Sequence, residues 1–423
     1  MRTYVISIFC LLLILSGTSL IVSAETNSNQ DSITVGINVP LSGAYKNMGV
    51  DQRRAYILAI EQINTNGGLL GKQIDYVIKN TEVDPQVAEQ NAMEFIQEEQ
   101  VDMVTGGSSS AVAIAQSDVC QENGVVFMAA QTHSSATTGF DKTQTGYKTQ
   151  KAHRHTFRWY FNDWMTKETL VPFMVERFGE EAKYFHITAD YIWGYTLEES
   201  IINGTGLHGS QTLNTVKTSL GTTDFSQPLQ QAKNSGADVL VLNLFGQDLI
   251  NAMEQVHQMH LNESFQIVAP LMEINMAHTI SNEVLQDTYS TMNWYYSLQG
   301  RFSGSKEFVQ AFSREHGRPP GASAASAWVA LKEWAAAVER AGTTESSDVI
   351  RELEGHNFNL LKDSEKWRSW DHQAISSVYI VQGKSPQEME GEWDVLQILE
   401  SIPGREVMRS QAQNPVMLEQ LQQ

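Results

Sequence analysis

Ile33-Thr-Val-Gly-Ile-Asn-Val39-Pro-Leu-Ser-Gly43 and Asp51-Gln-Arg-Arg-Ala-Tyr-Ile-Leu-Ala-Ile-Glu-Gln-Ile63 decide the fold class. The first stretch alternates β-branched with small residues, the pattern of a strand, and Pro40 to Gly43 ends it. From Asp51 the apolar positions switch to a helical period, with Ala55, Leu58, Ala59 and Ile63 on one face. Asn66-Gly67-Gly68 stops that helix, because both residue types tolerate left-handed backbone. The alternation repeats: a strand over 74–78, a helix over 85–98 with Pro85 in its first turn, and a strand over 102–106. The loop Gly107-Ser-Ser-Ser110 then leads into a helix over 111–123, closed by Gly124, and a strand over 125–128. These strands are too apolar to leave a wet face. They predict a parallel sheet covered by helices on both sides.

A polar, turn-rich stretch over 131–155 separates this unit from a second one of the same pattern. Strands are expected over 183–187, 211–216, 237–242 and 265–269, with helices over 197–202, 225–234 and 249–260. A long helical region over 305–341, a strand over 377–381 and an irregular acidic tail complete the chain. The economical architecture is α/β and two-lobed, each lobe a parallel sheet flanked by helices, with a cleft between them.

The remaining composition bounds the function. With 423 residues, 41 % apolar and 18 % charged, the chain is globular and large enough for two or three domains. Its formal charge of −20 argues against nucleic acid and anionic membranes as partners, because no basic stretch offsets it. Residues 1–24 read as a cleaved signal peptide: Arg2, an apolar run over 5–22, small residues at Val22-Ser23-Ala24, then a polar segment. The mature protein is expected to be soluble and exported. Cys120 is then its only cysteine, since the other is Cys10, so no internal disulfide forms and Cys120 is read as a small buried hydrophobe.

Few motifs carry chemistry. No glycine-rich phosphate cradle is present. Gly107-Ser108-Ser109-Ser110-Ala111 superficially resembles a nucleophile elbow, but Ala111 stands where the sharp turn needs glycine. Three hydroxyls beside the free N–H groups of a helix start instead make a neutral anion site, suited to a carboxylate. His133, His153 and His155 share one stretch, and His257 and His260 are i, i+3 on a helix. Only His133 falls at a strand end, whereas zinc requires three or four convergent ligands, so no metal or cofactor is expected. Tyr45, Trp159, Tyr160, Tyr191, Trp193, Tyr195, Trp294, Tyr295 and Tyr296 fall mainly at loops and strand ends, where aromatics wall small-ligand clefts. Some of them must be core.

At this point the residues match a known family. The stretches 33–43 and Gly49-Val-Asp-Gln-Arg-Arg-Ala55 resemble the opening of periplasmic receptors for branched-chain amino acids and related amides. The likeness continues through Ala59 to Lys72, residues 106–115, Thr156-Phe-Arg158, Asp190-Tyr-Ile-Trp-Gly194, Gly221-Thr-Thr-Asp-Phe225 and Ala237-Asp-Val-Leu-Val241. The resemblance implies a type I binding protein that closes on its ligand by hinge motion and delivers it to an ABC permease of the inner membrane. It would be a periplasmic monomer and not an enzyme. The lobes would comprise 31–155 plus 295–360 and 156–294 plus 361–423, with crossovers near His155, near Trp294 and around 360–372.

The resemblance also implies site residues. The serine that binds the ligand carboxylate matches Ser110, with Ser109 beside it, and the segment that meets the ammonium and carboxylate matches Gln131, Thr132 and His133. The aromatic over the ligand matches Trp193, a second-lobe tyrosine matches Phe245, and an N-terminal loop residue matches Met48, with Tyr45 close by. Two departures stand out. The family's acid for the amino group falls at Leu271, with Glu273 two residues on, and its usual threonine is His133. An unpaired buried ammonium costs several kcal/mol, so a carboxylate or amide with an apolar or aromatic body competes with Leu, Ile or Val unless Glu273 turns inward. A ligand sensor without a transport role and a serine hydrolase using Ser109 or Ser110 are the alternatives.

Overall fold

Strand β1 (Ser32–Val39) is buried at every residue from Val35 onward, as a central strand covered on both faces must be. The computed structural model describes residues 32–139, 151–414 and 416–418; the signal peptide expected over 1–24 lies outside them. Around β1 the first sheet runs β2 (Gln73–Asn80), β1, β3 (Met103–Gly106), β4 (Val126–Ala129) and β5 (Thr156–Arg158), all parallel. Helices α1 (Lys46–Thr65), α2 (Pro85–Gln97) and α3 (Ser110–Asn123) connect its strands. Cys120 is fully buried beside Phe95, Val104 and Phe127, and burial pushes its thiol pKa up.

The second sheet contains β6 (Lys183–Ala189), β7 (Gln211–Thr218), β8 (Val239–Asn243), β9 (Gln266–Leu271), β10 (Thr288–Met292), β11 (Val378–Gly383) and β12 (Leu396–Ile402). Its order is β12-β11-β10-β9-β8-β6-β7, parallel from β10 to β7, with β11 antiparallel to β10 and β12 antiparallel to β11. Helices α4 (Asp163–Phe178), α5 (Ile192–Leu207), α6 (Ser226–Lys233), α7 (Gln247–Gln258) and α8 (Ile274–Thr279) belong to this lobe. The chain then returns to the first lobe, where α9 (Ser303–His316) and α10 (Ala322–Ala341) lie, α10 packing along α1. Among the described residues no helix is long and apolar enough to cross a membrane.

Four details differ from the sequence expectation. The helical region over 305–341 is two helices, because Gly317 takes φ +70° and Pro319-Pro320 cannot continue the first. The acidic tail supplies β12, half-exposed on an edge, so it lacks the apolar signature of the inner strands. Strand β10 hides behind polar letters: Thr288 Oγ1 donates to Val284 O (2.8 Å) and Thr291 Oγ1 to Pro270 O (2.6 Å), so its buried hydroxyls are satisfied. Thr156–Arg158, expected at the start of the second lobe, pairs with β4 and completes the first sheet.

The segments that pass between the lobes meet at a buried cation. Lys362 Nζ donates to Asn293 O (2.6 Å), Ser377 O (3.1 Å) and Ser376 Oγ, and lies 3.5 Å from Glu365 Oε1. Glu365 Oε1 in turn accepts from Trp159 Nε1 at 2.9 Å. Trp159 follows β5, Asn293 follows β10, and 362–377 precedes β11, so all three passages share one charged node. Three acceptors meet the three ammonium protons, and burial lowers the Lys362 pKa against the opposing pull of Glu365 and Asp363.

Candidate functional site

The loops at the carboxyl ends of both sets of parallel strands face each other, the place where open α/β sheets bind ligands. They enclose a cleft of about 260 Å³, lined by Tyr45, Ser108, Ser110, Gln131, Thr132, His133 and Tyr160 from one side and by Tyr191, Trp193, Phe245 and Leu271 from the other. That space includes open solvent; the enclosed part is about 20 Å³, room for a water, so a solute enters only as the lobes part. The lobes are closed on it. Tyr45 Oη and Tyr191 Oη are 2.7 Å apart, Trp193 Nε1 donates to His133 Nδ1 (3.1 Å), and Gln247 N donates to Ala44 O (3.1 Å).

Ser110 opens α3, whose first turn holds no acidic residue. Its Oγ accepts from Ser134 N (3.0 Å) and from Thr132 Oγ1 (3.3 Å). Ser109 is the N-cap by position, but its hydroxyl makes no capping bond and lies by Tyr191. The buried Arg158 shapes the following loop: its guanidinium donates to Ser134 O, to Thr138 Oγ1 (2.9 Å) and to Gln373 Oε1 (2.6 Å). Burial lowers the Arg158 pKa to about 9, opposed by Asp163 and Asp371. Arg158 does not line the cleft and serves the loop that does.

His133 is neutral. Burial drives its pKa down to about 3. Because Trp193 donates to Nδ1, the ring proton sits on Nε2, directed at Thr166 Oγ1 at 2.8 Å. Both ring nitrogens are thus engaged away from Ser110. His153 bonds Asp118 (2.6 Å) and His155 bonds Gln121 (3.1 Å), so neither joins His133.

Glu273 takes a different place from that of a ligand-pairing acid. It is fully buried behind Gln131, with Oε1 accepting from Gln131 Nε2 (2.5 Å) and Oε2 from Ser323 Oγ (2.8 Å) near the start of α10. Gln131 Oε1 accepts from Gln52 Nε2 (2.9 Å), which also donates to Ser108 Oγ (2.7 Å). The result is a relay from the α3 loop, through the second lobe, back to the first. Burial raises the Glu273 pKa to about 8. Folded protein therefore holds a proton between pH 4.5 and 8 that the unfolded chain has lost, and stability falls as pH rises through that window. Glu273→Gln should remove this loss, worth on the order of a few kcal/mol. Urea unfolding at pH 5 and pH 8 checks it: the wild-type midpoint should drop more than the variant's.

Seven of the ten residues singled out from sequence line the cleft: Tyr45, Ser110, Gln131, Thr132, His133, Trp193 and Phe245. Ser109, Met48 and Glu273 stand behind it, Met48 under Gly246 and Glu273 under Gln131. Among the strand-end aromatics, Tyr160 and Tyr191 join the lining, whereas Trp159, Trp294 and Tyr295 are buried in the interior. Ser108, one of the three loop hydroxyls, also lines the cleft; Gln52 was not distinguished in the sequence, where a glutamine inside an apolar helical face was the available signal.

The family described as "Periplasmic binding protein" matches residues 32–388. The chain is similar to the leucine-, isoleucine-, valine-, threonine-, and alanine-binding protein of Pseudomonas aeruginosa, 23 % identical over 78 % of this chain and 83 % of that one. It also resembles the crystal structure of a periplasmic binding protein from Burkholderia mallei, with TM-score 0.83 and 24 % identity over 90 % of this chain and 98 % of that one. A solute binding protein of an ABC transporter from Rhodopseudomonas palustris, in complex with 3,4-dihydroxy benzoic acid, has TM-score 0.78 and 17 % identity. That alignment covers 88 % of this chain and 98 % of the other.

Proposed function

The chain belongs to the periplasmic binding protein family, and we propose that it is the exported solute-binding component of an ABC importer. It takes a small carboxylate- or amide-bearing solute between its lobes, closes by hinge motion and presents it to a permease in the inner membrane. One observation carries this reading: a closed cleft with hydroxyls at the start of α3 on one lobe and an aromatic wall on the other. Differential stability of the closed, filled state is then the whole function. Similarity to the Pseudomonas aeruginosa protein and to solved binding proteins supports it.

Ser110 is the residue to test. Its Oγ lines the cleft, and a hydrogen bond from a hydroxyl to a charged group is worth about 1.5–3 kcal/mol. Ser110→Ala should weaken binding of a carboxylate solute by that amount in calorimetry, without unfolding the protein. Unchanged affinity would remove Ser110 from the site.

A further inference from the structure

The cleft offers hydroxyls to an anion and no counter-charge to a cation. Among the described residues, no Asp, Glu, Lys or Arg lines it. The carboxyl groups nearby are committed elsewhere. Glu273 is taken by Gln131 and Ser323, and Asp51 by Arg318 and Asn275 (2.7 Å). Asp163 is taken by Ser135 N and Ser200 Oγ, and Asp248 by Gly221 N. The side-chain amide of Gln131 is spent on both ends, its oxygen on Gln52 and its nitrogen on Glu273. An ammonium group brought here would be desolvated without a counter-charge.

On the anion side stand Ser110 Oγ, which lines the cleft, and the N-terminus of the 14-residue α3, which the Ser109 side chain does not cap. A second, independent feature points to a ligand. Tyr160 Oη, on a fully buried residue, reaches the cleft and has no hydrogen-bond partner of good geometry. The walls decide the body of the solute. Of eleven lining residues six carry rings and one, Leu271, is aliphatic. Tyr45 and Phe245 meet at 5.5 Å and 72°, and Trp193 and Phe245 at 6.1 Å and 65°, leaving faces and edges that a flat ring can meet edge-to-face.

We infer that the solute is an aromatic carboxylate without an amino group, its carboxylate at the start of α3 and its ring against the wall that Trp193 and Phe245 form together. This rests on the solute-binding reading above and narrows it. The test is calorimetry on the purified protein with matched pairs: 3-phenylpropanoate against phenylalanine, and 4-methylpentanoate against leucine, with benzoate and benzamide added. The deaminated partner of each pair should bind at least 100-fold more tightly, and ring acids more tightly than 4-methylpentanoate. Tyr160→Phe should lower affinity for the best ring acid at least threefold, with the unfolding midpoint of the ligand-free protein retained. Equal or tighter binding of leucine or phenylalanine overturns the inference, as does failure of every carboxylate to bind. The solute-binding reading survives either result if an amino acid or benzamide binds, and it falls only if none of the compounds does.

Discussion

Gly246→Ala should cost the protein most of its ligand affinity while leaving both lobes folded. Gly246 closes the loop after β8 at φ +62° and ψ −138°, backbone that residues with a Cβ rarely adopt. The decisive effect lies across the cleft. A Cβ there would stand 2.5 Å from Ala44 O and 2.7 Å from the Tyr45 ring, both on the first lobe. Ala44 O is also the acceptor for Gln247 N, so the collision falls on the contact that joins the closed lobes. The local strain is present in any state of the hinge, but the collision exists only when the lobes meet. If closure loses roughly 3 kcal/mol, apparent affinity falls about 100-fold, since each 1.4 kcal/mol is a factor of ten. Calorimetry with a bound solute measures this, and thermal unfolding of the ligand-free variant isolates the local strain. An affinity within threefold of wild type would refute the role given to Gly246.

Lys362→Met should be the most destabilising single change outside the apolar core. It leaves Glu365 buried beside Trp159 with no cation, and it orphans Asn293 O and Ser377 O, which the ammonium now satisfies. Breaking one side of a buried ion pair costs about 3–5 kcal/mol. Removing both charges together leaves no isolated charge. Lys362→Met with Glu365→Gln should therefore recover part of the loss, because Gln still accepts from Trp159. Chemical denaturation of the three proteins provides the comparison. A double variant no more stable than Lys362→Met would mean that the carbonyls, not the carboxylate, govern the node.

Much of the fold was legible because its inner strands are uniformly apolar and its helices are punctuated by Gly and Pro. The parts that escaped are those where polar residues do the work of apolar ones. Strand β10 reads Thr-Tyr-Ser-Thr-Met, and only the carbonyls that receive its hydroxyls make it a core strand. Strand β12 is held by pairing to β11 and carries little periodicity of its own. The site divides in the same way. Residues on loops at strand ends, such as Ser110 and Trp193, can be placed from their neighbours in the chain. The place of Glu273 depends on Ser323, fifty residues later, and on Gln131, 142 residues earlier. No local pattern encodes a side chain whose partners come from the other lobe.

The burial of Cys120 has a further consequence, for time rather than structure. With one sealed thiol beyond residue 24, the fold has no bond to oxidise and none to reshuffle, so it need not wait for an oxidant to reach its native state. A thiol reagent can reach that sulfur only when the packing of α2 and α3 over the first sheet opens. Its modification rate is therefore a clock on the breathing of the first lobe.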